Sequence, residues 1–438
     1  MTAFPKTSKN LSRRGFIGAS ALAPAALMLQ AGEAHAAANT RAQLAAVHSG
    51  SPAHQLLYKT DEFFIAHRGA GNISPEHTAY AYAESVRRGA LAVEISVRTT
   101  SDGQFVCMHD TNIKRTTGAS MDVRGHTLAE LRQHKVNMRK NLGEKTDLYN
   151  IPTLEEAIAA VDAVPAGGEY ASVGGKKVVL FLEAKDGPAQ AGLVKFITER
   201  GLQRRTVIKM YRDGSGGFKP TSRYLKLANS AGCATWCYFD GGDPIDKISA
   251  MARHENVDAI GVPYYEKPTG ASQGSMSEEN VRALTGLGKA VIVWEIHRRS
   301  AYEKYKALGV KGFMCPDPYW VIGDPFDSSV KIKTGKRPHG MLPADPSVAA
   351  DMPDLTGTAI VHNQRYDESV LLGPLANYTT REKYTLDFSM KWTGALPKQD
   401  GHYGYIAFGR EHDGPFGIGK KFAANQEDGT YVLAIRPN

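Results

Sequence analysis

A rhythm constrains this sequence more than any single motif: short apolar runs, each bounded by Gly, Pro or Asp, recur with segments of helical composition between them. The runs are FFIA at 63–66, LAVEISV at 91–97, VVLFLEA at 178–184, TVIKMY at 206–211, ATWCYF at 234–239, VDAIGV at 257–262, AVIVWEI at 290–296 and VKGFMC at 310–315. Short apolar runs of this kind read as strands buried on both faces, the pattern of parallel sheets. Most are separated by segments such as SRYLKLANSAG and SEENVRALTGLG. Eight strands alternating with helices predict an α/β fold, a (β/α)8 TIM barrel.

A ninth run, QFVCMHD at 104–110, does not belong to that count. Only residues 98–103 separate it from the second strand, whereas a parallel crossover needs a dozen or more. It is therefore expected as a β-hairpin insertion after strand 2. A turn centred on Ser101 and Asp102 would return His109 opposite Glu94 and close to Ser96, at the end of the barrel to which the first strand delivers His67.

The 438 residues exceed one ordinary domain. Residues 1–36 read as a twin-arginine signal peptide. Ser12-Arg13-Arg14-Gly15-Phe16-Ile17 heads a short Ala-rich apolar stretch that closes on Ala34-His35-Ala36, an A-x-A cleavage site. This predicts export to the periplasm or beyond, with the twin-arginine machinery as a partner. The barrel is assigned to 37–324 and a Pro, Gly and Asp-rich linker to 325–357. Beyond it, strand-like runs at 384–393, 402–409 and 430–437 alternate apolar and polar residues, predicting a small C-terminal β-sandwich of jelly-roll or laminin-G type over 358–438. The last run ends beside Asn438, which predicts a module short of a final strand and makes glycan binding by it an open expectation.

Charge and apolar content narrow the function classes. The chain carries a net +8, and the signal segment contributes four basic residues and one acidic, so the remainder keeps +5. This mild surplus suits an anionic small molecule. It does not indicate nucleic acid, because no basic block is interleaved with aromatics. No run after residue 40 is long and apolar enough to span a bilayer. Cys107, Cys233, Cys237 and Cys315 lie in or beside apolar runs and are expected as small buried side chains, since the C-x3-C spacing of Cys233 and Cys237 is no zinc signature by itself.

Chemistry concentrates between Phe63 and Thr117. His67 ends the first run, and Arg68 after it carries a planar fork suited to two phosphoryl oxygens. Gly69 would let backbone approach a ligand. Glu94 and Glu183 are carboxylates inside apolar runs, costly there unless paired or metal-bound. Lys185 shares a strand face with Glu183, where it can meet a phosphate or form an ion pair with that carboxylate. His109 closes the hairpin arm. Lys209 and Tyr211 share one face of their strand, but the pattern does not tell which face is inner. The loop 213–218, DGSGGF, reads as a surface loop.

At this point the chain resembles the glycerophosphodiester phosphodiesterase family, through FIAHRGAGNISPEHTAYAYAESVRRGALAVEISV, TSDGQFVCMHDTNIKRTTG, IPTLEEAI and FLEAK, four motifs in the family's order. The likeness covers roughly 63–325. It implies hydrolysis of small-molecule glycerophosphodiesters to glycerol phosphate and an alcohol, with His67 and His109 as general acid and base, in either order. Arg68 and Lys185 read as the groups on the phosphate by their own chemistry, and the likeness implies Trp294 as a wall of the pocket, although plain core packing explains Trp294 equally well. It implies a divalent cation, calcium or magnesium, on Glu94, position 96 and Glu183. Here Ser96 stands where the family has aspartate. The hydroxyl or a water could fill the place, Glu76 could contribute, or the metal site could be degenerate; a retained but weaker site is the expectation. The alternative function is a catalytically weakened, secreted binding protein that uses its sandwich on glycan or envelope polymer.

Overall fold

The apolar runs become the staves of a closed barrel. In the computed structural model the described residues are 50–71, 74–136, 149–167, 174–265, 274–297, 299–316, 318 and 321, together with the strands Gly404–Phe408 and Tyr431–Ile435. The signal at 1–36, the linker at 325–357, the run at 384–393 and the rest of the expected sandwich lie outside them.

Strands β1 (Phe63–Ala66), β2 (Ala92–Thr99), β3 (Phe105–Cys107), β4 (Val179–Ala184), β5 (Thr206–Tyr211), β6 (Ala234–Tyr238), β7 (Ala259–Pro263), β8 (Ala290–Trp294) and β9 (Gly312–Cys315) form one sheet. β1 pairs with both β2 and β9, all in parallel, so the eight parallel strands close on themselves. Closure leaves no unpaired edge. The remaining described strands, β10 (Gly404–Phe408) and β11 (Tyr431–Ile435), are an antiparallel pair, which is all the described residues contain of the expected sandwich.

β3 is the predicted hairpin arm, antiparallel to β2, with Val97 opposite Cys107 and Thr99 opposite Phe105. The register is one residue from the expected one. Thr100 and Gln104 close the turn, and Gly103 takes φ +79 within it, a three-residue loop of the kind that uses a left-handed glycine. Extended further, this ladder would set His109 against Ile95 rather than Glu94.

Helices follow the strands: α1 (Ala79–Arg87), α2 (Leu154–Asp162), α3 (Ala189–Glu199), α4 (Arg223–Ser230), α5 (Ile245–Arg253), α6 (Glu278–Thr285) and α7 (Arg299–Ala307). Several begin on hydroxyl caps that accept an otherwise unpaired backbone N–H. Thr78 caps α1, Ser222 caps α4 and Ser277 caps α6, while Thr153 and Glu156 form a reciprocal capping box on α2.

Alternation along each strand divides the apolar side chains into two cores. Ile95, Val97, Leu180, Leu182, Ile208, Met210, Cys237 and Val293 pack outward with the helices. Phe63, Ile65, Ala92, Val179, Phe181, Val207, Trp236 and Ile292 pack inside the barrel, joined by Ala53, Leu56 and Leu57 from the helical segments before β1. All four cysteines are buried as thiols. Gly261 on β7 is where the interior cannot take a side chain. A Cβ there would come within 2.5 Å of Tyr238 Cβ and 2.6 Å of Trp236 Nε1.

Candidate active site

The interior changes character toward the strand C-termini, the end at which barrels of this type hold their sites. Inside β2, β4 and β5, the residues two beyond the apolar layer are Glu94, Glu183 and Lys209. Each lies on the same strand face as its predecessor Ala92, Phe181 or Val207. This settles the open face of β5: Lys209 points inward. Its Nζ donates to Glu94 Oε1 at 3.1 Å and forms an ion pair with Glu183 Oε2 at 2.9 Å.

The other oxygens of this pair are also engaged. Ser96 Oγ donates to Glu94 Oε1 at 3.0 Å, and the Arg68 backbone N–H donates to Glu94 Oε2 at 3.2 Å. Glu183 Oε1 accepts from Lys185 Nζ at 3.0 Å and from the Tyr238 hydroxyl at 2.7 Å. Burial by itself would raise both carboxyl pKa values. Their polar neighbours together outweigh it, Lys209 with His67, His77 and Arg68 at Glu94 and Lys209 with Lys185 and the Tyr238 hydroxyl at Glu183, so that Glu94 is held well below the usual range and Glu183 at about 2. Burial works against the Lys209 ammonium too, but Glu183 and Glu94 raise its pKa. For Lys185, burial prevails over its carboxylate partner and lowers the pKa.

His67 is buried just past β1, its backbone N–H bonded to the Cys315 carbonyl. Its Nδ1 lies 3.4 Å from Glu295 Oε2, and its Nε2 lies 3.9 Å from Glu94 Oε2. Arg68 Nε donates to His67 Nε2 at 3.1 Å. A guanidinium has no lone pair, so this bond makes Nε2 the acceptor and leaves the neutral ring's proton on Nδ1, facing Glu295. Residues 68–70 all have positive φ, at 54, 75 and 60, which turns the chain sharply off the strand. Gly69 is required by packing, since a Cβ there would lie 2.9 Å from Ala81 Cβ on α1.

His109 follows β3 on the rim and is about one-third exposed, its carbonyl held by Arg98 Nε at 2.9 Å. Its Nδ1 bonds Asp110 Oδ1 at 2.9 Å, Asp110 Oδ2 accepts from Arg115 Nε at 2.6 Å, and Arg115 grips both oxygens of Glu76 at 2.6 and 2.7 Å. Glu76 in turn accepts from Arg68 Nη1 at 3.2 Å. A continuous chain of alternating charges thus joins the two histidines. Desolvation lowers the His109 pKa against the pull of Asp110, and the charges of Arg68, Lys185 and Glu94 also reach it.

The structure therefore brings His67, Arg68, Glu94, Ser96, Glu183 and Lys185 together at one mouth, with His109 on its rim. Lys185 is paired with Glu183, the ion pair open to it from the sequence. Trp294 is half-buried among aromatics, edge-on to Tyr238 at 5.5 Å and to Tyr265 at 6.0 Å. Glu76 is committed to two arginines.

The set expected to hold a cation does not fit one as it stands. Glu94 and Glu183 converge, but on the Lys209 ammonium, and the Ser96 hydroxyl is turned to Glu94 as a donor. Among the described residues no group of three or more His, Cys, Asp or Glu side chains is arranged to hold a metal ion. Sequence reasoning did not single out Tyr238, Arg115 or Glu295. Only Glu295 carried a signal, an acid ending an apolar run.

Comparison with known proteins finds matches in one family. The sequence profile of the glycerophosphoryl diester phosphodiesterase family matches residues 67–207. A glycerophosphodiester phosphodiesterase of Caldanaerobacter subterraneus subsp. tengcongensis is 25% identical over 264 residues, covering 59% of this chain and 95% of the relative. Human glycerophosphodiester phosphodiesterase 1 is 38% identical over 97 residues, covering 22% of this chain and 29% of that protein. Among solved structures, the Thermotoga maritima glycerophosphodiester phosphodiesterase aligns over 58% of this chain and 95% of its own, at 20% identity and a TM-score of 0.42. An Oleispira antarctica phosphodiesterase, solved with the product sn-glycerol-3-phosphate, aligns over 59% and 95% at 20% identity and a TM-score of 0.46. The matched span runs from His67 into the start of β5 and takes in His67, Arg68, Glu94, Ser96, His109, Glu183 and Lys185, and over it the chain carries the domain of the glycerophosphoryl diester phosphodiesterase family of enzymes.

Proposed function

We propose that this chain is an exported hydrolase that cleaves glycerophosphodiesters to glycerol phosphate and an alcohol, with His67 and His109 exchanging the protons. The observation that carries the reading is the pair of histidines at one mouth, linked through Arg68, Glu76, Arg115 and Asp110. One imidazole takes the proton of the attacking oxygen and the other protonates the leaving alkoxide. Arg68 supplies a planar fork for two phosphoryl oxygens and Lys185 a second positive charge. Trp294, with Tyr238 and Tyr265, forms an apolar wall suited to the glycerol carbons.

Members of the family typically use a divalent metal. Calcium or magnesium at Glu94 and Glu183 would neutralise phosphoryl charge and acidify the attacking oxygen. Those carboxylates hold Lys209. Export rests on the twin-arginine segment at residues 1–36. Its check is the N-terminus of the exported protein, expected at Ala37; an uncleaved Met1 terminus in the exported fraction would refute it.

The activity is tested by release of glycerol phosphate from glycerophosphocholine and glycerophosphoglycerol. His67→Ala and His109→Ala are each expected to lower turnover by ~100-fold or more, the scale of lost acid or base catalysis, with thermal unfolding unchanged. Near wild-type turnover in either variant removes that histidine from the mechanism.

A further inference from the structure

We propose that Lys209 is the resident cation of this site, its ammonium standing between Glu94 and Glu183 in the place of a divalent ion, so that phosphodiester hydrolysis here needs no added metal. Three observations carry it. The first is position: Nζ lies 3.1 Å from one carboxylate and 2.9 Å from the other, on a strand whose preceding inward residue, Val207, is locked in the barrel core. The ammonium also lies 5.3 Å from the Tyr238 ring centre and 5.6 Å from that of Trp236, faces that favour a cation.

The second is the direction of the surrounding groups. A hard divalent ion needs several oxygen lone pairs turned toward it. Here Ser96 Oγ–H, the Arg68 N–H, Tyr238 O–H, Lys185 and Lys209 all donate to the two carboxylates. Three of the four carboxylate oxygens have a hydrogen-bond donor already, and the fourth, Glu183 Oε2, faces the Lys209 ammonium at 2.9 Å as an ion pair without a hydrogen bond.

The third is charge. Glu94 and Glu183 carry two negative charges, and Lys185 and Lys209 carry two positive. This buried cluster is neutral with a monovalent cation and would be strongly positive with a divalent one added. Ser96 fits that balance. An aspartate there would bring a third negative charge for which one ammonium is too little, so Ser96 and Lys209 match each other: a weaker cation goes with one carboxylate fewer.

The substrate side of this inference rests on the phosphodiesterase reading; the cation side does not, and the experiment separates them. The purified mature chain, treated with chelator and dialysed, is titrated with Ca²⁺, Mg²⁺ and Mn²⁺ by calorimetry and by thermal unfolding, without substrate. The expected result is no binding heat and no concentration-dependent rise in Tm for any of the three. The double variant Ser96→Asp, Lys209→Ala is expected to gain both, since a ligand that binds only the folded state raises Tm as its concentration rises. Saturable binding of a divalent ion by the wild type overturns the proposal, as does a folded double variant indifferent to all three ions. In the activity arm, turnover of glycerophosphocholine that persists in excess chelator supports it, and turnover abolished by chelator and restored by one of these ions overturns it. Should no substrate turn over under any condition, the ion titrations still decide the identity of the resident cation, and the phosphodiesterase reading fails separately.

Discussion

The lower and upper halves of the barrel interior are made by the same strands and differ in almost every physical respect. Below, Phe63, Ile65, Val179, Phe181, Val207 and Trp236 form a dry apolar plug. One inward step further along, Phe181 gives way to Glu183 and Val207 to Lys209. The lower half gains from burial, roughly 1.5–3 kcal/mol for each large side chain. The upper half buries ions, whose desolvation is repaid only through close partners. The contrast teaches that the plug does more than stabilise: by excluding water from beneath the charges it strengthens every pairing above it.

The largest expected effect breaks the lower half alone. Phe63→Ala should cost about 3–5 kcal/mol of stability, the usual range for a buried Phe truncated to Ala, as measured by denaturant unfolding, while the folded fraction keeps its turnover within about twofold. A parallel collapse of turnover per folded molecule would show that the two halves are not separable.

A smaller effect sharpens the upper half. His77, buried beside α1, bonds Tyr82 through Nδ1 at 2.5 Å, while its Nε2 has no hydrogen-bond partner among the described residues. Burial lowers its pKa to about 3. The unfolded chain takes up this proton near ~6.5 and the folded one only near about 3, so the unfolded state binds more protons between those values. Stability is then full above pH ~6.5 and falls as the pH drops through that window, by up to ~1.4 kcal/mol per pH unit. His109, lowered in the same direction, adds to the upper part of the fall. Glu76 and Glu183, each held at about 2, add acid sensitivity below the ordinary carboxylate range. His77→Asn, a residue that tolerates the positive φ found here, should flatten the slope of Tm between pH 6.5 and 4.5. An unchanged slope would assign it to other groups.

The barrel was legible because buried parallel strands write themselves as apolar runs, and the hairpin because six residues cannot make a crossover. β1 and β5 have the bounds of their runs, and the other barrel strands differ from theirs by one or two residues at an end. What could not be read was direction. Period two leaves two equivalent faces until the barrel closes, so Lys209 was visible but its partners were not. The hairpin register slipped by one residue because Gly103, rather than the Ser101-Asp102 pair, sets the turn. Glu295 carried the same mark as Glu94 and Glu183 and was passed over, whereas Tyr238 in the run ATWCYF and Arg115 in the motif HDTNIKRTTG lay in marked segments with nothing to show that their side chains reach the charged groups of the mouth.

The turn at residues 68–70 has a consequence for timing. By bending the chain back on itself it seats the Arg68 side chain against the lone pair of His67, so in the empty site the ring nitrogen nearest that guanidinium is capped. A phosphoryl group that claims the guanidinium uncaps the nitrogen in the same movement. If Arg68 binds the phosphoryl group as proposed, recognition of the anion and exposure of that ring nitrogen are one event, whichever of His67 and His109 takes the proton.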